Sequence, residues 1–142
     1  MDNLPHISAV PETENEWFGA LAALSRFLRS PQGCPWDQKQ SAIRFAEYAK
    51  EELDELLEAL REGDNPHAEE EYGDVFFVLL AAAAAAEAEG RFSLKNALAR
   101  AHEKMVRRHD HVFRSDKATT PEEAIEAWNK IKEQERAARS AE

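Results

Sequence analysis

The sequence has a single cysteine, fewer basic than acidic residues and no long apolar run, and each of these features argues against a class of protein. Cys34 is the one cysteine among 142 residues, so no intramolecular disulfide can form and we expect a reducing compartment, the cytoplasm. The longest apolar run, residues 75–86, is too short and too rich in alanine to span a bilayer. The first six residues lack the basic and apolar segments of a signal peptide, and we expect none.

Acidic residues outnumber basic residues. The chain carries 18 lysines and arginines against 28 acids, for a formal net charge of −10. This balance argues against general binding to nucleic acids or to anionic membranes. An anionic substrate is compatible with it only where a metal ion or a local basic patch offsets the repulsion.

Several catalytic signatures are missing as well. The chain has no glycine-rich phosphate loop and no G-x-S-x-G element. None of its five histidines follows a glutamate by three residues, which excludes the Glu-x-x-His motif of ferritin-like di-iron bundles. We also find no alternating strand pattern, no internal repeat and no linker between domains.

What the sequence does contain is helical periodicity. Its content of 43% hydrophobic and 32% charged residues is typical of a soluble, helix-rich protein. Apolar residues recur at helical spacing in five segments: 14–30, 38–62, 66–89, 94–109, and a last helix that opens at Thr120 and frays near Arg139. The fold class is therefore all-α, with a four-helix core and an additional C-terminal helix.

The remaining segments read as loops and ends. We predict loops over 34–37 and 110–118, where proline or irregular spacing interrupts the helical pattern. Residues 1–13 form a loose arm, 14–136 a single domain, and 137–142 a frayed charged tail.

Acidic residues are concentrated on the second and third predicted helices. Glu52 and Glu55 are three residues apart on one helix, and Glu71 and Asp74 are three apart on the next. Residues at this spacing are neighbours on a helix surface, and a tight turn at 63–66 would fold the two helices into an antiparallel hairpin. Four carboxylates at one spot repel one another, and a hard divalent cation such as Mg²⁺ or Mn²⁺ relieves that repulsion. The spacing predicts a metal site; the alternative is ordinary surface charge, because E-x-x-E is common in helices.

The neighbours of these acids predict how they are placed. Glu52 and Glu55 share a stripe with semi-apolar residues, so we expect them to face protein rather than water. Glu71 and Asp74 share their side of the helix with apolar residues, and we expect both to be at least half buried. Gly73 between them costs about 1 kcal/mol relative to alanine inside a helix, which suggests that another backbone approaches closely there.

One segment reverses the acidic balance. Between Lys95 and Lys117 there are seven basic residues against three acids. Lys104, Arg107 and Arg108 lie close together on the fourth predicted helix, where arginines can bind phosphate oxygens with paired hydrogen bonds. The alternative is a solvated face whose cations pair with acids elsewhere, and exposed pairs of that kind contribute little to stability.

Several short elements stand in order along the chain. They are Cys34-Pro-Trp-Asp37, Glu51-Glu52-Leu-Asp-Glu55, Glu70-Glu71-Tyr-Gly-Asp74, Glu89-Gly-Arg-Phe92, Glu103-Lys-Met-Val-Arg-Arg-His-Asp-His-Val-Phe113 and Trp128-Asn-Lys-Ile-Lys132. Any one of them is a weak signal, but together and in this order they are highly specific. The chain resembles the MazG family of nucleoside triphosphate pyrophosphohydrolases, from Trp17 to Glu135.

The resemblance implies an all-α enzyme that hydrolyses a nucleoside triphosphate to the monophosphate and pyrophosphate. Mg²⁺, with Mn²⁺ as a possible substitute, would be held by the four acids of the hairpin: Glu52, Glu55, Glu71 and Asp74. A carboxylate, either Glu51 or Glu55, would orient the attacking water. The apolar faces of the second and third helices favour a partner subunit, and the resemblance implies a homodimer or a dimer of dimers.

The same resemblance assigns substrate contacts to the basic segment and to the last helix. Lys104 and Arg108 would bind the β- and γ-phosphates, with Arg107 beside them. Trp128 and Lys132 match positions that contact nucleotide in the family; for Trp128 the alternative is packing within the core.

Two departures and two alternatives accompany this interpretation. Asp110 stands where the family often has proline, and His67 stands where some members carry a lysine that contacts substrate. A catalytically silent helical dimer that binds a nucleotide or a protein partner is one alternative, and a structural bundle without metal is the other. The sequence does not indicate which base is preferred.

Overall fold

The structure, a computed structural model, describes residues 7–114 and 117–141. All regular secondary structure within those residues is helical. The helices are α1 (Glu14–Arg29), α2 (Pro35–Lys39), α3 (Ala42–Glu62), α4 (Asn65–Ala88), α5 (Leu94–Arg108), α6 (Asp110–Phe113) and α7 (Pro121–Ser140). The five predicted helices are present as α1, α3, α4, α5 and α7, so the all-α class is confirmed.

Capping side chains fix where the long helices begin. Four residues accept a hydrogen bond from a backbone N–H in the first turn of their helix: Thr13 for α1, Ser41 for α3, Asp64 for α4 and Thr120 for α7. At the other end of α3, Gly63 has a φ of 76°, a left-handed conformation that glycine adopts without steric cost. Because Asp64 follows Gly63 directly, the turn between α3 and α4 is as tight as the sequence predicts.

Two segments that we predicted as loops contain short helices, so those predictions are wrong for residues 35–37 and 110–113. In α2, Pro35 occupies the first turn, where its missing N–H has no helical partner to lose. Arg29 Nη1 anchors the end of α2 by donating to the backbone oxygens of Asp37, at 2.8 Å, and Gln40, at 2.7 Å. This anchor comes from α1, and a local sequence pattern does not reveal it. As a result α3 begins at Ala42 rather than at residue 38.

The helices up to Leu94 form one compact unit. α3 packs against α4 as a hairpin, and α1 packs on α4. Two buried clusters lie between the hairpin helices: one contains Phe45, Ala81 and Ala85, and the other contains Leu56, Ala59 and Ala68. Alanines supply most of these contacts, and the distance between packed helices depends on the size of the side chains at the contact. The two acidic segments are therefore carried on closely spaced helices.

The residues from Lys95 onward form a second compact unit. In it α6 packs on α7, and the Trp128 ring meets the His109 ring edge-on, with centroids 5.4 Å apart. His111 of α6 is buried. α5, by contrast, has no buried residue, although Val106 and Arg108 near its end are half buried.

The structure describes part of the predicted N-terminal arm and most of the predicted C-terminal tail. The predicted arm over 1–13 begins outside the described residues, and residues 7–13 form no helix. α7 continues to Ser140, into the segment predicted as a frayed tail. The limits of the single domain, 14–136, stay a prediction. Among the described residues, no helix has both the length and the apolar character needed to cross a membrane.

Candidate metal centre and basic groove

Three of the predicted ligands meet in the first unit. Glu52 and Glu55 project from adjacent turns of α3, and Glu71 projects from α4 across the hairpin. One carboxylate oxygen of each lies within 4.8 Å of the other two. The i, i+3 spacing on α3 and the tight turn at Gly63 produce this arrangement, as the sequence predicts.

Glu71 is the buried member of this group. Its residue exposure is 7%, and His67 Nε2 lies 3.0 Å from its Oε1. Its second oxygen, Oε2, is buried and has no hydrogen-bond partner among the described residues. An unsatisfied buried carboxylate oxygen is costly, and a cation is the partner that suits it. The donor set, three carboxylates, is the hard oxygen set that Mg²⁺ and Mn²⁺ prefer, so these residues fit such an ion.

Glu52 is the acid of the cluster whose pKa is shifted most clearly. Burial raises the pKa of Glu52 from 4.5 to about 7, and the negative charges of Glu55, Asp74 and Glu71 add to the increase. Glu52 therefore binds a proton more readily than an ordinary glutamate, and a divalent cation bound by the cluster would compete with that proton.

Two expectations about the placement of the acids are wrong. Glu55 and Asp74 are both exposed, although we expected Glu55 to face protein and Asp74 to be at least half buried. Asp74 also lies outside the cluster of three, while remaining near enough for its charge to raise the pKa of Glu52. Its assignment as a ligand stays a prediction, and so does the catalytic role of the exposed Glu51.

The backbone approach expected at Gly73 is also not found among the residues that the structure describes. A Cβ built on Gly73 would have none of their atoms within 4 Å, so no described backbone of the same chain requires a glycine there. Sequence analysis instead missed His67 as a partner of the cluster. Its i, i+4 spacing to Glu71 is a usable signal, because residues four apart on a helix are neighbours.

In the second unit, two of the predicted phosphate-binding residues pair with an acid of the same chain. Arg107 Nε lies 2.7 Å from Glu135 Oε1, and Arg108 Nη2 lies 2.9 Å from Glu135 Oε2. These hydrogen bonds lower the pKa of Glu135 to about 2, and the bond from Arg108 contributes more than the bond from Arg107. Arg108 Cζ also lies 5.1 Å from the centre of the Trp128 ring, within the range of a cation–π interaction. Sequence analysis gave no role to Glu135.

A groove of about 800 Å³ runs along this part of α5 and α7. Its charged lining residues are Arg100, Glu103, Lys104, Arg107, Arg108, Glu135 and Arg139. We refer to this surface as the basic groove. Lys104, Arg107 and Arg108 line this groove, whereas Trp128 and Lys132 are not among its lining residues. The substrate contacts assigned to all five residues stay predictions.

Comparison with known proteins identifies the family. Residues 40–113 match the MazG nucleotide pyrophosphohydrolase domain. The chain belongs to the MazG family. The matched region contains the three clustered carboxylates, Asp74 and the basic residues of α5, and it ends before Trp128 and Lys132.

Individual MazG relatives agree with this assignment. The chain is 38% identical over 140 residues to the uncharacterized protein YabN of Bacillus subtilis (strain 168), a match that covers 96% of this chain and 29% of YabN. It is 37% identical over 118 residues to the nucleoside triphosphate pyrophosphohydrolase of Escherichia coli (strain K12), covering 82% of this chain and 45% of that protein. The chain thus spans less than half the length of these curated relatives.

A solved structure supports the fold. The crystal structure of a MazG-related protein from Thermotoga maritima superposes with a TM-score of 0.68 at 32% sequence identity, over 80% of this chain and 96% of that one. The helical architecture is therefore that of a MazG protein. The resemblance first seen in short sequence elements is confirmed.

Proposed function

We propose that this chain hydrolyses nucleoside triphosphates to nucleoside monophosphates and pyrophosphate in a reaction that requires Mg²⁺. The observation that carries the proposal is the cluster of Glu52, Glu55 and Glu71, in which a buried oxygen of Glu71 has no hydrogen-bond partner within residues 7–114 and 117–141. Relatives that span longer chains are named nucleoside triphosphate pyrophosphohydrolases, and the shared MazG region includes these acids.

Glu52, Glu55 and Glu71 would hold the ion together with Asp74, and Mn²⁺ is an expected substitute. When bound, the ion neutralises phosphate oxygens and lowers the pKa of a coordinated water. The residues differ in what they contribute. Glu71 is fixed by burial and by His67, whereas Glu55 is exposed and open to incoming water and substrate.

Orientation of the attacking water is assigned to an acid in the cluster or next to it. Glu55 in the cluster and Glu51 next to it, four residues apart on the exposed side of α3, are the candidates for this role. Glu52 contributes to catalysis by holding the ion. A carboxylate can accept a hydrogen bond from the water and direct its lone pair to the α-phosphorus. Attack at this position releases pyrophosphate as a unit.

The basic groove supplies positive charge suited to phosphate oxygens. Lys104 and Arg100 line it without an ion-pair partner among the described residues, while Arg107 and Arg108 are paired with Glu135. We assign the β- and γ-phosphates to Lys104 and Arg108, with Arg107 as a neighbouring cation. Trp128, which lies against Arg108, and Lys132 are assigned to the nucleoside part of the substrate.

The functional form is a homodimer or a dimer of dimers. α3 exposes Leu53, Leu57 and Leu60 to solvent, by 53%, 43% and 55% of their surface. Contiguous exposed aliphatic residues are characteristic of protein interfaces. A second subunit would cover them.

The test is a product assay with the purified chain. Canonical and modified nucleoside triphosphates are incubated with Mg²⁺, and phosphate release is measured with and without an added inorganic pyrophosphatase. We expect phosphate only when pyrophosphatase is present, and nucleoside monophosphate as the second product. Phosphate release without pyrophosphatase would indicate cleavage at another bond and contradict the proposal.

A catalytically silent dimer is the competing function. The observation in its favour is that Arg107 and Arg108, both assigned to phosphate binding, already form ion pairs with Glu135. Isothermal titration with ATP and Mg²⁺ distinguishes the two functions. Binding without turnover of any triphosphate would favour the silent dimer. A matched Glu71→Gln variant, which we expect to lose turnover, controls for contaminating hydrolases.

A further inference from the structure

α3 presents two stripes of mainly apolar residues, and only one of them is covered. The inner stripe is buried or half buried toward α4 and consists of Ala42, Phe45, Ala49, Glu52, Leu56 and Ala59. The outer stripe lies one residue further along at every step and consists of Ile43, Ala46, Lys50, Leu53, Leu57 and Leu60. All six outer residues are exposed, and exposure of the four large aliphatic side chains runs from 43% for Leu57 to 59% for Ile43.

The outer stripe has the spacing of a coiled-coil seam. Its residues alternate steps of three and four, which are the a and d positions of a heptad. From residue 43 to residue 60 it covers about 25 Å of helix at 1.5 Å per residue. A helix that served only its own hairpin would be polar on this face. The seam therefore fits another helix of matching length and pattern.

We propose that the outer stripe binds the outer stripe of a second copy of this chain, with the two α3 helices antiparallel about a twofold axis between Lys50 and Leu53. This deepens the homodimer of the proposed function by naming its surface and orientation. It does not depend on the hydrolytic activity.

The register follows from the self-complementarity of the stripe. With the axis at its centre, Ile43 faces Leu60 of the second copy, and Ala46 faces Leu57 of the second copy. Lys50 faces Leu53 of the second copy in the same way. Every large aliphatic residue except the central Leu53 meets an apolar partner, and the small Ala46 makes room for Leu57. A twofold interface requires this kind of reciprocal match, because residue i contacts j and j contacts i.

Charge complementarity along the edge of the stripe supports the antiparallel orientation. Glu47, Asp54 and Arg61 each follow a residue of the stripe and flank it on one side. In the antiparallel pair, Arg61 faces Glu47 of the second copy at both ends of the seam. The two copies of Asp54 meet at the axis, within reach of both Lys50 side chains, so four charges of balanced sign gather there.

A parallel pair lacks this balance. It would place Lys50 against Lys50 of the second copy inside an apolar seam, with no acid of the stripe opposite either of them. A like-charge pair buried between helices is unfavourable. Lys50 therefore acts as the residue that selects the antiparallel orientation, as single polar residues at a positions do in coiled coils.

Cysteine cross-linking in the full-length chain tests the register. Cys34→Ser first removes the native thiol. Two single variants are then made in that background, Ala46→Cys and Leu57→Cys, and are mixed before mild oxidation. We expect a disulfide-linked heterodimer from the mixture and no cross-link from either variant alone, because each residue lies about 16 Å from its own copy in the antiparallel register.

The parallel pair predicts the reverse result. There Leu57 faces Leu57, so the Leu57→Cys variant would cross-link with itself and the mixture would show no preference for the heterodimer. That outcome would overturn the proposed orientation. Absence of any cross-link while the protein remains dimeric would show that the dimer uses another surface, and would overturn the proposal entirely.

Sedimentation velocity tests whether the stripe is the interface. Leu53→Glu is expected to weaken the dimer by roughly tenfold or more, because a charge replaces a central apolar residue. Ile125→Glu is the matched control: Ile125 is 60% exposed on α7, and its substitution is expected to leave the dimer unchanged. Circular dichroism verifies that both variants remain helical. A wild-type chain that sediments as a monomer, with some other occupant on the stripe, would also contradict the proposal.

These measurements separate the interface from the enzyme activity. A chain that cross-links as expected but hydrolyses no triphosphate keeps the interface and loses the proposed function. A chain that hydrolyses triphosphates but sediments as a monomer keeps the proposed hydrolytic activity and loses the interface.

Discussion

His67 Nε2 lies 3.0 Å from Oε1 of Glu71, one turn further along α4. The bond occupies one oxygen of the most buried acid in the cluster, and the other oxygen has no hydrogen-bond partner in the described part of the chain. Outer hydrogen bonds of this kind orient metal-ligating carboxylates. They also raise the pKa of the histidine, here mainly through the hydrogen bond to Glu71.

The first prediction concerns this contact. His67→Ala should weaken Mn²⁺ binding by about 10-fold to 100-fold, because Glu71 loses the group that fixes its orientation. His67→Gln, which keeps a donor within reach, should recover most of the affinity. Electron paramagnetic resonance titration of free Mn²⁺ measures this without any turnover. Equal affinities for wild type and His67→Ala would show that His67 does not position the ligand.

The second prediction concerns the ligands themselves. Glu52→Gln and Asp74→Asn should each reduce turnover by roughly 100-fold or more, because each removes one negative charge from the site. Glu58→Gln, an exposed acid elsewhere on α3, should have no effect and serves as the control. Near-normal activity of Asp74→Asn would remove Asp74 from the ligand set, which its exposure and its position outside the cluster already make the weakest member.

The third prediction concerns pH and metal. The pKa of Glu52 is raised from 4.5 to about 7 on folding, so the folded chain binds more protons than the unfolded chain between these values. Without metal, stability should therefore fall as pH rises from about 4.5 toward 7, and Glu52→Gln should flatten this slope.

Thermal melts across this range, with EDTA or with Mg²⁺, provide the measurement. Mg²⁺ should raise the melting temperature most near neutral pH, where the carboxylates are ionised. A midpoint that EDTA and Mg²⁺ leave unchanged would favour a bundle without metal.

The fourth prediction concerns the basic groove. Arg108→Ala should raise KM for triphosphates more than it affects dimer formation, because the arginine is assigned to phosphate binding. Lys104→Ala should act in the same direction. Steady-state kinetics combined with sedimentation velocity measures both quantities. Unchanged kinetics in Arg108→Ala would leave this arginine with a structural role, in its ion pair with Glu135 and its contact with Trp128.

The sequence predicts the helices and the meeting of three acids because both depend on local spacing. The sequence does not predict which residues are buried where two faces of one helix are equally apolar. The inner and outer stripes of α3 are both apolar and differ by one residue, so the sequence pattern alone does not show that Leu56 is buried while Leu53 and Leu57 are exposed. The exposure of Glu55 was misjudged for the same reason.

Contacts between residues far apart in sequence account for the other differences. Glu135 reaches Arg108 across 27 residues, and Arg29 anchors the end of α2 from the preceding helix. Neither contact has a sequence signature, because each depends on tertiary packing that brings two surfaces together. The contact between His67 and Glu71 is the exception, since a separation of four residues within one helix can be seen in the sequence.

The alanines between α3 and α4 have a consequence for the choice of ion. Ala59, 1% exposed, and Ala68, 6% exposed, act as spacers beside the turn that carries Glu55 and the turn that precedes Glu71. Their methyl groups set how near the two helices stand, and so how wide a gap the carboxylates must bridge. A larger side chain at either position would wedge the helices apart and enlarge that gap. The radius of an ion held at the proposed site would thus be governed in part by residues that carry no charge at all.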